Sequence, residues 1–156
     1  MSSLSESIIQ FAVDLFQQIR RSEGGNIFYS PLSIMSALAM TYLGSRGHTA
    51  SEIRKVSEQE ERITGKSERK EVGRAGTVHR QFQRLLTELN KPTNAYELSV
   101  ANRLYGDKEV SFSQDYLENV KKFYLASVAS VDFVNAAEES RQMINSWVES
   151  QTKGTV

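Results

Sequence analysis

The stretch NIFYSPLSIMSALAMTYLGSRGHTASEI, residues 26–53, decides how the chain can fold. Although 24% of the chain is charged, no side chain from Asn26 to Thr41 carries a full charge at neutral pH. Ser30 can act as a helix N-cap, and Pro31 suits the first helical position because its missing N–H would have no partner there. After Pro31 apolar residues point in every direction, as in helices of protein interiors. The stretch therefore predicts a central, buried helix.

Composition limits the kinds of function. The 156 residues suffice for one domain, and 19 basic against 19 acidic residues leave no net field to attract nucleic acid or an anionic membrane. Without cysteine, disulfide scaffolds, thiolate zinc sites and cysteine nucleophiles are excluded. The N-terminal MSSLSESIIQF has neither a basic region nor a long apolar core, so no cleaved signal peptide is expected. These features predict a cytoplasmic protein without nucleic-acid or membrane partners.

Helical and extended patterns alternate along the rest of the chain. Apolar spacing predicts amphipathic helices over residues 8–19, 78–89, 114–124 and 136–148. Alternation predicts strands over residues 96–106 and 126–133, and NIFYS, residues 26–30, predicts a third, short strand. Ser113 and Asn135 are predicted N-caps. The order predicts an α+β fold whose strands need a larger sheet than they can form alone.

Two further segments are defined by their polar residues. Asn102 lies on the inward face of the first long strand, where an unpaired amide would be costly, so specific hydrogen-bond partners are expected. From Ser57 to Thr77, ten of 21 residues are charged, three are glycine, and no period is visible. We interpret residues 57–77 as a mobile, charged surface loop.

Sequence motifs of enzymes are missing. G-x-S-x-G, H-E-x-x-H, the Walker loop and G-x-G-x-x-G do not occur. The two histidines, His48 and His79, are both predicted to be solvated surface residues. Without cysteine or a histidine pair, a transition-metal site is not expected. We therefore predict that the protein is not an enzyme and uses neither a cofactor nor a metal.

Three segments resemble the serpin family. Residues 26–53 are similar to its helix B and helix C region, where Asn-[Ile/Val]-Phe-x-Ser-Pro-x-Ser-Ile precedes Ala-Leu and Leu-Gly. LSVANRLYG, residues 98–106, resembles the second strand of sheet A, and residues 131–154 resemble the end of its first strand followed by helix F. The resemblance runs from about Ser3 to Gly154 in the family's order. It looks closest to the ovalbumin-type, intracellular branch with the squamous cell carcinoma antigen-like serpins.

The resemblance implies a fold and an activity. The fold is the N-terminal part of the serpin fold, with helices A to F, the first two strands of sheet A and a short sheet-B strand, in one partial domain over residues 1–156. The activity of whole relatives is suicide inhibition of serine or cysteine endopeptidases, in which a cleaved reactive loop inserts into sheet A. Ser30 and Ser33 match the serines of the "shutter" beneath the opening strands. Asn26 and Asn102 match asparagines with a structural role, and the alternative role of Ser30 is that of an N-cap only.

The C-terminal half of the fold and the reactive loop are expected to be absent. The chain ends at Val156, where the family continues into the central strand of sheet A, and KGTV replaces the usual Gly-Lys-[Ile/Val]. We therefore predict that this chain is not inhibitory by itself, whether it is a natural truncated product or a piece of a longer protein. The alternative function is a non-inhibitory binding or regulatory fragment that self-associates through exposed strand edges.

The stability of the isolated chain and its location can also be predicted. Without the rest of the fold, the helix after Ser30 and both long strands would lack the sheets that should cover them. Each Å² of apolar surface left exposed costs roughly 25 cal/mol of free energy. We expect the isolated chain to be aggregation-prone or partly molten. The ovalbumin-type resemblance implies a cytoplasmic location, with non-classical release to the extracellular space as the alternative.

Overall fold

The computed structural model describes residues 3–57, 71–94 and 100–154. These residues form six helices and two strands. The elements are α1 (Ser3–Ser22), α2 (Pro31–Gly44), α3 (Gly47–Ser57), α4 (Glu71–Leu89), β1 (Arg103–Asp107), α5 (Gln114–Tyr124), β2 (Ser127–Val131) and α6 (Ala137–Thr152). The chain divides into two compact units, Met1–Phe82 and Gln83–Val156, and α4 contributes to both.

The first unit is built around α2. Helices α1, α2 and α3 pack against one another, and α2 buries Met35, Ser36, Ala39 and Met40. The predicted start of this helix is confirmed, because Ser30 is the N-cap and Pro31 is the first helical residue. Its burial is one-sided, however, since Leu38 keeps 37% of its surface exposed. Among the described residues, α2 is therefore covered on one face only.

Large apolar side chains remain at the surface of the first unit. Phe28 is fully exposed, and Ile9, Val13 and Phe16 are exposed on α1. The three residues of α1 recur at i, i+4 and i+7, so they form one stripe along the helix. Contiguous exposed apolar surface is a source of association between chains. The stripe supports the expectation that the isolated chain aggregates, which stays a prediction.

The second unit contains a parallel pair of strands. Arg103 is aligned with Ser127, Tyr105 with Ala129, and Asp107 with Val131. Parallel strands need a crossover connection, and α5 provides it and packs on β2. The buried apolar positions of this crossover are Val120, Tyr124, Ala126 and Val131. A helix-rich chain with a small parallel sheet confirms the predicted α+β class.

The strand predicted at residues 26–30 is wrong. A strand needs backbone hydrogen bonds from a neighbour, and the described sheet contains only β1 and β2. Instead, the Tyr29 hydroxyl donates a hydrogen bond to the Ala12 carbonyl at 2.6 Å and fastens the segment to α1. The strand predicted at residues 96–106 begins at Arg103 within the described residues, and residues 95–99 lie outside them.

Part of the mobile loop predicted at residues 57–77 is helical, and its mobility stays a prediction. Ser57 is the last residue of α3, and α4 begins at Glu71, seven residues before the predicted Val78. Elongation of a helix adds one hydrogen bond per residue, so the amphipathic part of α4 extends backwards through the charged residues before it. Residues 58–70 of the predicted loop lie outside the described residues.

One predicted helix cap is confirmed and one is wrong. The Ser113 hydroxyl accepts a hydrogen bond from the Tyr116 N–H at 3.3 Å at the start of α5. At the start of α6, Ala136 occupies the N-cap position and no side chain caps the helix. Asn135 is engaged in a turn instead, because its N–H donates to Asp132 Oδ1 at 2.8 Å.

Gly106 tests the packing of the second unit. A Cβ atom added at Gly106 would overlap with the ring of Phe112, which stacks on Tyr116 with ring centres 5.9 Å apart. We expect Gly106→Ala to lower the free energy of unfolding by about 1–3 kcal/mol, as overpacking does. Urea unfolding followed by circular dichroism measures this. Gly24→Ala is the matched control, because nothing lies within 4 Å of its added carbon. Equal urea midpoints for Gly106→Ala and Gly24→Ala would contradict the close packing of Phe112 against Gly106.

Candidate functional site

The hydroxyls that open α2 form a small hydrogen-bonded group. Ser30 Oγ accepts from the Ser33 N–H at 3.3 Å and donates to Ser33 Oγ at 3.1 Å. The structure therefore brings together the two serines predicted as shutter residues. The N-cap role of Ser30 is confirmed, and the shutter role of both serines stays a prediction.

Deeper in α2 the hydroxyls are satisfied by the helix itself. Ser36 is completely buried, and its Oγ donates to the Leu32 carbonyl at 2.8 Å. Thr41 Oγ1 donates to the Ala37 carbonyl at 3.1 Å in the same way. Bonds of this kind let a helix carry hydroxyls in an apolar setting without a separate partner. Sequence reasoning did not single out Ser36, although it lies on the same face as Met40 and next to Met35.

The two predicted structural asparagines lie in different units. Asn26 is exposed in the connection between α1 and α2, whereas Asn102 directly precedes β1. The Asn102 Nδ2 atom is buried and has no hydrogen-bond partner among the described residues. An unpaired buried group of this kind costs about 1–3 kcal/mol. The structural roles of both asparagines stay predictions.

Arg103 lies between two aromatic rings. Its guanidinium carbon is 5.3 Å from the centre of the Tyr105 ring and 5.4 Å from the Trp147 ring, and the two rings meet edge-on. The cation–π contacts stabilise the positive charge of Arg103, but the faces of the rings offer its N–H donors no hydrogen-bond acceptor. Arg103 Nε and Tyr105 Oη are buried and have no hydrogen-bond partner among the described residues. Sequence reasoning missed this aromatic cluster (Arg103, Tyr105 and Trp147), although the alternation along β1 places its first two members on one face.

Polar contacts tie together the C-terminal ends of the two strands. Lys108 Nζ lies 2.6 Å from Asp132 Oδ2, and Asp107 Oδ2 accepts from the Phe133 N–H at 3.1 Å. The hydrogen bond from Lys108 lowers the pKa of Asp132, and the same bond raises the pKa of Lys108. Because solvent screens such surface pairs, the contacts fix positions more than they add stability.

The surface position predicted for His79 is wrong. His79 is only 5% exposed, and its ring centre lies 5.8 Å from that of Tyr42. Burial disfavours the charged imidazolium and lowers the pKa of His79 to about 4. The spacing to the buried Phe82 and Leu86, at i+3 and i+7 on α4, was the signal that could have placed His79 on the inward face.

A cavity of about 530 Å³ lies in the second unit. This volume is in the range of small-ligand sites. Its walls are mainly apolar, and its lining includes Leu86, Val100, Leu117, Leu125, Val128, Trp147, Asn102 and Lys121. Among the described residues that line it there is no histidine, aspartate or glutamate, so no carboxylate–imidazole pair faces it.

Neither a metal cluster nor a membrane span is found in the part of the chain that the structure describes. Over residues 3–57, 71–94 and 100–154, no three side chains of histidine, cysteine, aspartate or glutamate converge on one point. Over the same residues no helix combines the length and the apolar character needed to cross a membrane. Among the described residues, the buried side-chain atoms without a hydrogen-bond partner are those of Asn102 and of Arg103 and Tyr105 in the aromatic cluster.

Comparison with known families identifies the chain. The family model "Serpin (serine protease inhibitor)" matches residues 6–156. The chain belongs to the serpin family. Human Serpin B3 is 57% identical over 155 residues, which cover 97% of this chain and 40% of that serpin. Leukocyte elastase inhibitor of Equus caballus is 43% identical over 157 residues, which cover 100% of this chain and 38% of the inhibitor.

Solved structures agree with this assignment. Emu ovalbumin matches with a TM-score of 0.84 at 35% identity, over 99% of this chain and 41% of ovalbumin. Human thyroxine-binding globulin in complex with its hormone matches with a TM-score of 0.83 at 31% identity, over 99% and 40% of the two chains. The predicted ovalbumin-type branch is confirmed by the serpin B relatives. This chain spans about two fifths of the length of these relatives.

Replacement of Ser30 tests the helix cap. Ser30→Ala removes the oxygen that accepts from the Ser33 N–H, and loss of such a cap costs about 1 kcal/mol of stability. Ser33→Ala is the matched control, because it removes a hydroxyl of the same group but leaves the cap acceptor in place. The urea midpoint should fall clearly for Ser30→Ala and little for Ser33→Ala. Equal shifts would mean that the cap does not form.

His79 makes stability depend on pH. The unfolded imidazole titrates near 6.5 and the folded one near 4, so between these values the unfolded chain binds more protons. Stability should therefore fall as the pH is lowered from about 6.5 towards 4. His79→Phe keeps a ring beside Tyr42 but cannot be protonated, so it should lose part of this pH dependence.

Urea midpoints at pH 7 and pH 5 measure the effect. His48→Gln is the control, because the His48 side chain is 90% exposed and its removal changes no buried surroundings. If His79→Phe kept the same difference between the two pH values as the unsubstituted chain, burial of His79 would be contradicted.

Proposed function

We propose that this chain is the N-terminal part of a serpin whose full-length form inhibits serine or cysteine endopeptidases by reactive-loop insertion. The family match over residues 6–156 carries the proposal. The relatives named Serpin B3 and leukocyte elastase inhibitor support it. Because the chain spans 40% and 38% of these relatives, inhibition is proposed for the longer protein and not for these 156 residues by themselves.

The proposed role of the second unit is to provide a sheet to which further strands can be added. β1 and β2 pair with each other, and the other edge of each strand meets no strand of residues 3–57, 71–94 or 100–154. A loop that inserts as a strand gains its affinity from main-chain hydrogen bonds to its neighbours. The contacts of Asp107 and Lys108 hold the ends of the pair in register. In the longer protein, further strands extend from this platform.

Ser30 and Ser33 are proposed to be the shutter serines. Each hydroxyl can donate one hydrogen bond and accept others, so the pair can exchange partners when neighbouring strands move. Their mutual contact at 3.1 Å supports this role, because it keeps both hydroxyls satisfied in the absence of other partners. Asn26 and Asn102 are proposed to be structural, and the unpaired Asn102 amide takes its partner from the rest of the longer protein.

The protein is proposed to act by binding a protease and not by catalysis of its own. It needs no cofactor or metal in this role, because the stored strain of the sheet drives the reaction. The resemblance to the ovalbumin-type branch supports action in the cytoplasm, with non-classical release as the alternative.

A second function, association with other serpin chains as a non-inhibitory regulator, is favoured by a specific observation. Neither strand of the sheet has a described neighbour beyond the other strand, and Phe28 is fully exposed. An unpaired strand edge is a template for pairing with another chain. In this case the 156-residue chain would pair with full-length relatives and would slow or redirect the formation of their sheets.

The intact mass of the native protein separates the two functions. We expect a species more than twice as heavy as the 17.6 kDa chain, and we expect it to form an SDS-stable complex with a target protease. Leukocyte elastase is the first protease to test, because one relative is named as its inhibitor, and a papain-type protease covers the cysteine class. The 156-residue chain is the control and should leave both activities unchanged. A native species of 17.6 kDa alone would reject inhibition and leave the second function.

A further inference from the structure

The cavity of the second unit has a buried floor and an exposed rim. All its lining residues belong to the second unit, and none of them is a residue of β1. On the floor, Leu86, Tyr124 and Ala126 are between 1% and 6% exposed. On the rim, Leu125 is 54% exposed and Lys121 is also exposed. The cavity is therefore closed by apolar groups at one end and open to water at the other.

The rim of the cavity is positively charged. Lys121 is the charged residue among the described lining residues, and it recurs with Leu117 and Tyr124 at i, i+4 and i+7 on one face of α5. A lysine in such a stripe lays its aliphatic stem along the wall and carries its charge to the water. Lys91 and Lys108 are each paired with a carboxylate, whereas no carboxylate of the described residues forms an ion pair with Lys121. Burial raises the pKa of Tyr124, so its neutral phenol adds no negative charge.

Leu125 has a backbone conformation that is unusual for its residue type. It is the C-cap of α5 with a φ of 53°, in the left-handed region where glycine is favoured because it has no Cβ. Its side chain lines the cavity although more than half of its surface is exposed. Departures from local rules of this kind are tolerated mainly at functional sites. The leucine therefore indicates that an apolar group is needed at the rim.

We propose that this cavity binds a medium-chain fatty acid, with the carboxylate at Lys121 on the rim and the alkyl chain against the floor. The volume of about 530 Å³ lies within the range of about 300–1,000 Å³ that is usual for small-molecule sites. A fatty acid of about ten carbons belongs to this size class, whereas a phospholipid with two longer chains does not. The apolar floor removes the alkyl chain from water, and the rim charge selects an acid over an amine of the same length.

The proposed site does not use an unpaired strand edge. Its walls come from α4, α5, α6, the residues directly before β1 and the start of β2. It needs no contact with the Asn102 amide, whose partner is proposed to come from the rest of the longer protein. The proposal therefore depends neither on protease inhibition nor on association between chains.

Trp147 provides the signal for a direct test. It is the single tryptophan of the chain and it lines the cavity, so its fluorescence should respond to a molecule that enters. Decanoate is titrated into the 156-residue chain at low salt and below its micelle concentration. Decylamine, which has the same chain length and the opposite charge, is the control ligand. We expect a saturable change with decanoate and an affinity about threefold to fivefold above that of decylamine, as an exposed ion pair allows.

Replacement of Lys121 tests the rim charge. Lys121→Gln should weaken decanoate binding by about threefold to fivefold and remove the preference over decylamine. Lys122→Gln is the matched control, because Lys122 is exposed on the same helix but does not line the cavity. Both variants lose one positive charge, so a general attraction of anions to the chain would affect them equally. Circular dichroism verifies that each variant is folded.

Replacement of Leu125 separates binding from stability. Glycine takes the left-handed conformation without strain, so the urea midpoint of Leu125→Gly should change little, while the affinity for decanoate should fall because an apolar group of the rim is lost. Lys153→Gly is the matched control. Lys153 is the C-cap of α6 with a φ of 52° and does not line the cavity, so its replacement should leave decanoate binding unchanged.

The outcomes are independent of protease inhibition. Absence of decanoate binding overturns the proposal, and so do equal affinities for decanoate and decylamine or equal losses in Lys121→Gln and Lys122→Gln. Calorimetry on the longer protein should give one decanoate per chain with the same dependence on Lys121. Binding by the 156-residue chain but not by the longer protein also overturns the proposal, because the rest of the fold would then fill the cavity. If the native protein is the 17.6 kDa chain, the fluorescence titrations decide alone.

Discussion

The ladder of hydrogen bonds between β1 and β2 is the constraint on which the second unit depends. It aligns Arg103 with Ser127 at one end and Asp107 with Val131 at the other. It also holds Arg103 and Tyr105 against the Trp147 ring. Two strands of five residues each are a small sheet that ordinarily needs additional strands for stability. The ladder thus organises one side of β1, and no strand of the described residues lies on its other side.

In the first unit, the helix α2 is likewise covered on one side only. α2 buries Met35, Ser36, Ala39 and Met40 on one face, while the other face retains apolar side chains such as Leu38. Its hydroxyls bond within the helix, so the helix can be complete before all its neighbours are present. This self-sufficiency explains why a segment with so little charge can carry so many polar atoms. Apolar side chains on the other face stay exposed among the described residues.

Local chemistry made part of the structure predictable from the sequence. The pair Ser30 and Pro31 determined where α2 begins, and the residues that carry the family resemblance led to the α+β class and the family. Two of the wrong predictions depended on contacts between distant residues. The environment of His79 is set by Tyr42, a residue 37 positions earlier, and the segment at 26–30 has no partner strand among the described residues. The aromatic cluster joins β1 to α6, so no local pattern could reveal that Arg103 lies against Trp147.

The crossover connection has a kinetic consequence. β1 and β2 are only 24 residues apart in sequence, as the alignment of Arg103 with Ser127 gives directly. Closing a loop of this length takes far less time than the ribosome needs to add a single residue. The strand pair can therefore assemble while synthesis continues. Trp147 follows β2 in the sequence, so the pair can close before the ring that lies against Arg103 has been added to the chain.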